Sequence, residues 1–98
     1  MKMKVFMRRI NGRIVRKTVT ATESFTMYGY TFAAHSWIDE YGKVNRDKFT
    51  VSELRTGYHV SDGKTKNEAI QNAIQRLEDC GKRKTDAAMK RAIDEVTA

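Results

Sequence analysis

Asp62 to Gly81 reads DGKTKNEAIQNAIQRLEDCG, and within it a start signal, an apolar period and a stop signal agree on one helix. Thr65 followed three residues later by Glu68 is a capping box, in which the hydroxyl accepts from the Glu68 amide and the carboxylate reaches back to the Thr65 amide. Ala69, Ile70, Ala73, Ile74 and Leu77 then recur at the three-and-four spacing of a single face. Lys66, Asn67, Gln71, Asn72, Gln75 and Arg76 fall on the other face, so one side packs and one is wet. Gly81 suits the left-handed position that ends helices. The helix is expected over 65–80.

Outward from the helix, the preceding residues read as strands. Lys48 to Leu54 alternates in strand fashion, Thr56-Gly57 turns the chain, and Tyr58, His59 and Val60 return it, giving a hairpin over 48–61 that leads into the Thr65 cap. Before it, Asp39 to Asp47 (DEYGKVNRD) is polar, contains Gly42 and reads as an exposed loop. Phe25, Tyr28, Tyr30, Phe32 and Trp37 concentrate the aromatic payload in a region, 25–38, that starts loosely and becomes strand by Tyr30. With no cation among these rings before Lys43, they read as core rather than as a stacking platform for bases.

The chain opens on a hairpin over 3–21, signalled by Asn11-Gly12 between two β-like runs. Met3, Val5, Met7, Val15, Val19 and Ala21 are all odd-numbered. A two-residue loop would pair odd with even positions and mix the faces, whereas a three-residue loop of Ile10, Asn11 and Gly12 pairs odd with odd. The second register is therefore expected, with Gly12 left-handed in a bulged turn. After Gly81, Lys82-Arg83-Lys84 precedes a terminal helix over 86–97, capped by Thr85 or Asp86, with Ala88, Met89, Ala92, Ile93 and Val96 as its stripe. Asp94 and Glu95 oppose its dipole, so it needs a surface: its own sheet or another chain. The expected class is α+β: an antiparallel sheet of four to five strands, one helix across it and a second, C-terminal helix.

From Phe49 to Leu77 the chain resembles the second half of double-stranded-RNA-binding domains, through Phe49-x-Val51, Gly57, Gly63, Thr65-Lys66, Ala69, Ala73 and Leu77. It is similar over the same segment to HicB-type antitoxins, in Gly63-x-Thr65-x-x-Glu68-Ala69 and Ala73. The resemblance implies a β-β-β-α unit. In the RNA-binding family a lysine cluster at the helix start grips phosphates. Here Lys66 matches and Lys64 is near, Asn67 and Ile70 stand where further lysines are expected, and Glu68 adds a negative charge. A basic hairpin replaces that family's leading helix.

The 98 residues make one domain, burying somewhat more than ~60% of the unfolded chain's surface. No stretch approaches about 18 apolar residues in a row, and the amino terminus has no apolar leader core. The single cysteine, Cys80, suits a reducing compartment and, near the apolar stripe, is expected as a small buried hydrophobe. A cytoplasmic protein without membrane partners follows.

The net charge of +7 is concentrated. Residues 1–20 hold Lys2, Lys4, Arg8, Arg9, Arg13, Arg16 and Lys17 and no acid, while the remaining residues balance at twelve bases and twelve acids. Neighbouring cations add their potentials within a Debye length of ~8 to 10 Å, so such a cluster favours a polyanion.

The chain holds no Gly-rich phosphate loop, no nucleophile elbow and no paired-carboxylate spacing. His35, His59 and Cys80 lack any zinc spacing. The reading is a non-enzymatic protein with no cofactor and no metal, contacting DNA or RNA phosphates through Arg8, Arg9, Arg13, Arg16 and Lys17, with Lys64, Lys66, Lys82, Arg83 and Lys84 assisting. An alternative is a phage-type protein that inhibits a host nucleic-acid-handling complex, such as a CRISPR assembly or a nuclease, through protein contacts at Asp39, Glu40 and Tyr41. A further alternative is an antitoxin-like subunit that forms a homodimer through the C-terminal helix.

Overall fold

The structure, a computed structural model, describes residues 2–8, 14–38 and 43–97. Five strands precede one helical element: β1 (Lys2–Arg8), β2 (Ile14–Met27), β3 (Tyr30–Ile38), β4 (Val44–Glu53), β5 (His59–Gly63) and α1 (Lys66–Thr97). Each strand pairs antiparallel with the next in sequence, in the order β1-β2-β3-β4-β5. The long β2 serves two ladders. Residues 14–20 pair with β1, and from Ala21, opposite His35, the rest pairs with β3 through an irregularity between Ala21 and Glu23. The result is a four-stranded sheet from which the β1–β2 hairpin continues as an arm.

The arm has the register that the parity of its apolar residues implies: Met3 faces Val19, Val5 faces Lys17 and Met7 faces Val15. Its tip, with Asn11 and Gly12, lies outside the described residues. The next connection differs from expectation. The aromatic region 25–38 is divided by a two-residue turn at Tyr28-Gly29 between the paired Met27 and Tyr30, so that Phe25 belongs to β2. Both turn residues have positive φ, 55° and 85°. That is the geometry of a type I′ turn, whose twist matches the flanking strands. A tyrosine is strained there. Its ring packs against the core and its hydroxyl donates to the Leu77 carbonyl at 3.4 Å, holding it in place.

β4 begins at Val44, earlier than the expected 48, and absorbs the extra residues in a register shift opposite Ser36 and Trp37. Lys43 precedes the strand, and positions 39–42 lie outside the described residues. The turn into β5 is closed at both ends: Glu53 N–H donates to the Tyr58 carbonyl at 2.8 Å and Gly57 N–H to the Glu53 carbonyl at 2.9 Å. The buried Glu53 carboxylate accepts from Thr56 N–H and Thr56 Oγ1, at 2.6 and 2.8 Å.

Thr65 caps α1, its Oγ1 accepting from Glu68 N–H at 3.1 Å. Ala69, Ala73 and Leu77 are buried with Phe32, Ala34, Val51 and Val60 in the main core. β5 approaches the helix closely: Ser61 Oγ donates to the Ala69 carbonyl at 2.7 Å, and a Cβ on Gly63 would sit 2.4 Å from Ala69 N.

Two expectations about the C-terminal part are corrected. No helix starts near residue 86: the helical residues run to Thr97, but Gly81 (φ 77°, ψ 164°) is non-helical and divides them into two segments at the stop the sequence implies, the second beginning ahead of Thr85. Thr85 is consequently inside the helix and buried, not a cap. The stripe beyond the break lies on the chain's own sheet, since Met89 joins the main core, Ala92 is buried, and Tyr30 OH donates to Asp86 Oδ1 at 2.8 Å. Cys80 is exposed, because it sits just past the buried row ending at Leu77. On the opposite face of the sheet, Val19, Ala21 and Ala33 form a smaller cluster joined by Leu54.

Candidate functional site

The structure divides the ten basic positions singled out in the sequence into three groups. The first is the arm. Arg8 lies on β1 and Arg16 and Lys17 on the paired half of β2, opposite Phe6 and Val5, and β1 adds Lys2 and Lys4, which are outside the ten. Two strands about 4.8 Å apart and some 20 Å long therefore carry five bases. Arg9 and Arg13 lie outside the described residues, as do Asp39, Glu40 and Tyr41. Because α1 packs on β5, β4 and β3, the helix leaves this ladder to the sheet's own far side.

The second group, Lys64 and Lys66, flanks the cap of α1, where the positive end of the helix dipole adds to their charge. The third, Lys82, Arg83 and Lys84, is exposed just beyond the break at Gly81. Lys82 is paired with Asp86 Oδ2 at 2.7 Å. That contact raises the Lys82 pKa and, with the Tyr30 hydrogen bond, lowers that of Asp86, while Tyr30 is itself pushed up by the carboxylate it donates to. Of this third group Arg83 and Lys84 keep undivided charge.

Lys84 also belongs to a groove that the sequence did not signal. A cleft of about 70 Å³ lies between Tyr58 of the β4–β5 turn and the interrupted stretch of α1, with Arg76 and Lys84 at its mouth and Val60, Leu77 and Met89 beneath. A second cleft of about 150 Å³ adjoins it, sharing Tyr58 and Ala88 and adding Arg91. Arg76 precedes the break at Gly81 and Lys84 and Arg91 follow it, so the fold and not a single helical spacing brings the three to adjoining clefts.

The face of the sheet turned away from α1 carries a polar network. His35 Nδ1 lies 2.9 Å from the Ser36 carbonyl, which can only accept, so the proton is on Nδ1 and Nε2 accepts from Ser52 Oγ at 2.9 Å. Burial lowers the His35 pKa, outweighing the support of the Ser36 carbonyl. Next to this pair, Asp62 Oδ1 accepts from Thr50 Oγ1 at 2.9 Å and meets His59 Nε2 at 3.1 Å. Burial raises the Asp62 pKa, but these hydrogen bonds outweigh it and hold the carboxyl below its ordinary value. A serine hydroxyl on a neutral histidine has the form of an activated nucleophile. Ser52 and His35 are 1% and 2% exposed, however, leaving no room for a substrate carbonyl. The network holds β3, β4 and β5 together.

Comparison with models of protein families, with curated proteins and with solved structures found no match.

Proposed function

We propose that this is a non-enzymatic binding protein whose β1–β2 arm contacts nucleic-acid phosphates. The observation that carries the reading is the arm itself: the segment with seven bases and no acid forms a paired ladder, with Lys2, Lys4, Arg8, Arg16 and Lys17 held on two adjacent strands. A rigid ladder spaces charge along a polyanion without ordering loose side-chain-bearing loops on binding. Contacts of this kind position a protein and read few bases. The resemblance of residues 49–77 to double-stranded-RNA-binding-type domains belongs to the same proposal, and Lys64 and Lys66 supply its second point of contact. A homodimer through the end of α1 is the weaker alternative, because Met89 and Ala92 are already buried within the chain.

Salt tests the reading. If Arg8, Arg9, Arg13, Arg16 and Lys17 neutralise phosphates, log affinity against log salt should slope by about −4 to −5 for duplex DNA. Replacing Arg8, Arg13 and Arg16 together by Gln should flatten the slope by roughly 3 and weaken all sequences alike. An unchanged slope in that variant would remove the arm from the interface. A protein-partner function predicts the reverse pattern in a pull-down, with the arm variant mild and changes at Asp39, Glu40 and Tyr41 severe.

A further inference from the structure

The groove along α1 has a composition that the arm lacks. Its two adjoining clefts share Tyr58 and Ala88, and the cations Arg76, Lys84 and Arg91 are distributed along them. All three cations are exposed, and among the described residues none has an ion-pair partner. No carboxylate lines either cleft. Between the cations the half-buried Tyr58 borders both clefts over an apolar floor that includes Met89 and Ala92. Beside that floor the Thr85 hydroxyl, in a side chain 3% exposed, has no hydrogen-bond partner.

We infer that this groove holds a short run of single-stranded nucleic acid, with Tyr58 stacking on a base and Arg76, Lys84 and Arg91 on the flanking phosphates. The inference rests on the nucleic-acid reading above and adds a preference to it. Single-strand sites combine a positive groove that follows the backbone with aromatic rings that accept any base. A duplex keeps its bases stacked inside and cannot offer one to Tyr58. The three cations line two clefts that share Tyr58 and Ala88, so charge is available on both sides of the ring. An apolar anion of small size would satisfy the floor and one cation but leave two charges unused.

The test is fluorescence anisotropy of a labelled single-stranded oligonucleotide and of the matching duplex over a range of salt, using the full chain. In wild type both bind. Replacing Arg76, Lys84 and Arg91 together by Gln alters only exposed positions, and it should flatten the single-strand salt slope by roughly 2 while leaving the duplex slope unchanged. Tyr58→Leu should weaken single-strand binding about tenfold, and Tyr58→Phe, which keeps the ring, should bind as wild type does. Should Tyr58→Leu fail to fold, the charge variant decides alone. Equal losses for single strand and duplex, or no loss at all, overturn the inference while the arm reading stands on its own variant. Absence of binding to either probe overturns both.

Discussion

The half of the sheet under α1 and the arm that extends from it are built differently. Under α1, Phe32, Ala34, Val51 and Val60 meet Ala69, Ala73, Leu77 and Met89 in one continuous core, with aromatic side chains around its rim. Towards the arm, among the residues whose side chains are described, the buried apolar cluster is Val19, Ala21 and Ala33, with Leu54 alongside. The charge runs the other way, since the arm's twenty residues hold the whole formal excess and the rest of the chain is neutral. Stability and charge are thus separated along β2, one strand serving both regions. Substitutions in one region should therefore leave the other's property almost untouched.

The largest expected effect marks the covered half. Met89→Ala should cost about 2 to 4 kcal/mol, the range for truncating a large buried side chain, whereas Val19→Ala should cost about 1 kcal/mol at its smaller cluster. Denaturant midpoints at constant m-value measure both. Equal costs would show that the two clusters are a single core. Next comes the contact of β5 with the helix. Gly63→Ala places a Cβ against the Ala69 backbone, which cannot retreat as a side chain can, and should cost about 1 to 3 kcal/mol. Thr65→Ala removes a cap that is in place and should cost ~1 kcal/mol by the same measurement.

A smaller effect concerns pH. An unfolded histidine takes up a proton near 6.5, and His35 in the folded protein resists it because it is buried. Between the two pKa values the unfolded state holds more protons, so stability is full above pH 6.5 and declines as pH falls through that window. Asp62, lowered in the fold, acts separately and loses its contribution only as pH falls below its ordinary 3.8. Urea midpoints from pH 8 to pH 5 should fall for the wild type and fall less for His35→Gln. A flat wild-type profile would mean that His35 takes up its proton as readily in the fold as in the unfolded chain, contrary to its burial. Smallest of all, Arg8, Arg13 and Arg16 replaced together by Gln should leave the midpoint within about 0.5 kcal/mol per site, as surface changes do.

Much of the covered half can be read from local chemistry, and the arm's register too. The Thr65 cap, the Ala69-Ala73-Leu77 row and the parity of Met3, Val5 and Met7 each depend on neighbours a few residues away, so a pattern suffices. Where tertiary contacts decide, the pattern misleads. Tyr28-Gly29 turns because the Tyr28 ring and hydroxyl are held by the core and by Leu77, and nothing in that dipeptide equals the signal of Asn11-Gly12. Gly81 breaks the helix as the pattern implies, but the helical residues resume directly after it and not at 86, because the Met89 row has a sheet to lie on. Of the candidate site, the charge cluster is visible in composition. The groove of Tyr58, Arg76, Lys84 and Arg91 is not, because a turn and two parts of an interrupted helix come together only in the fold.

A basic edge strand also guards a sheet against pairing with its neighbours, so charge on β1 has a use that needs no ligand. Titration of labelled duplex DNA, duplex RNA and single strands at low salt separates that role from phosphate binding. The account expects half-saturation in or below the range of roughly 10⁻⁴ to 10⁻⁶ M found for non-specific binders, with affinity falling steeply as salt is added. No binding of any of the three probes at tens of micromolar protein, a concentration inside that rough range, would contradict it and leave the arm as a guarded edge.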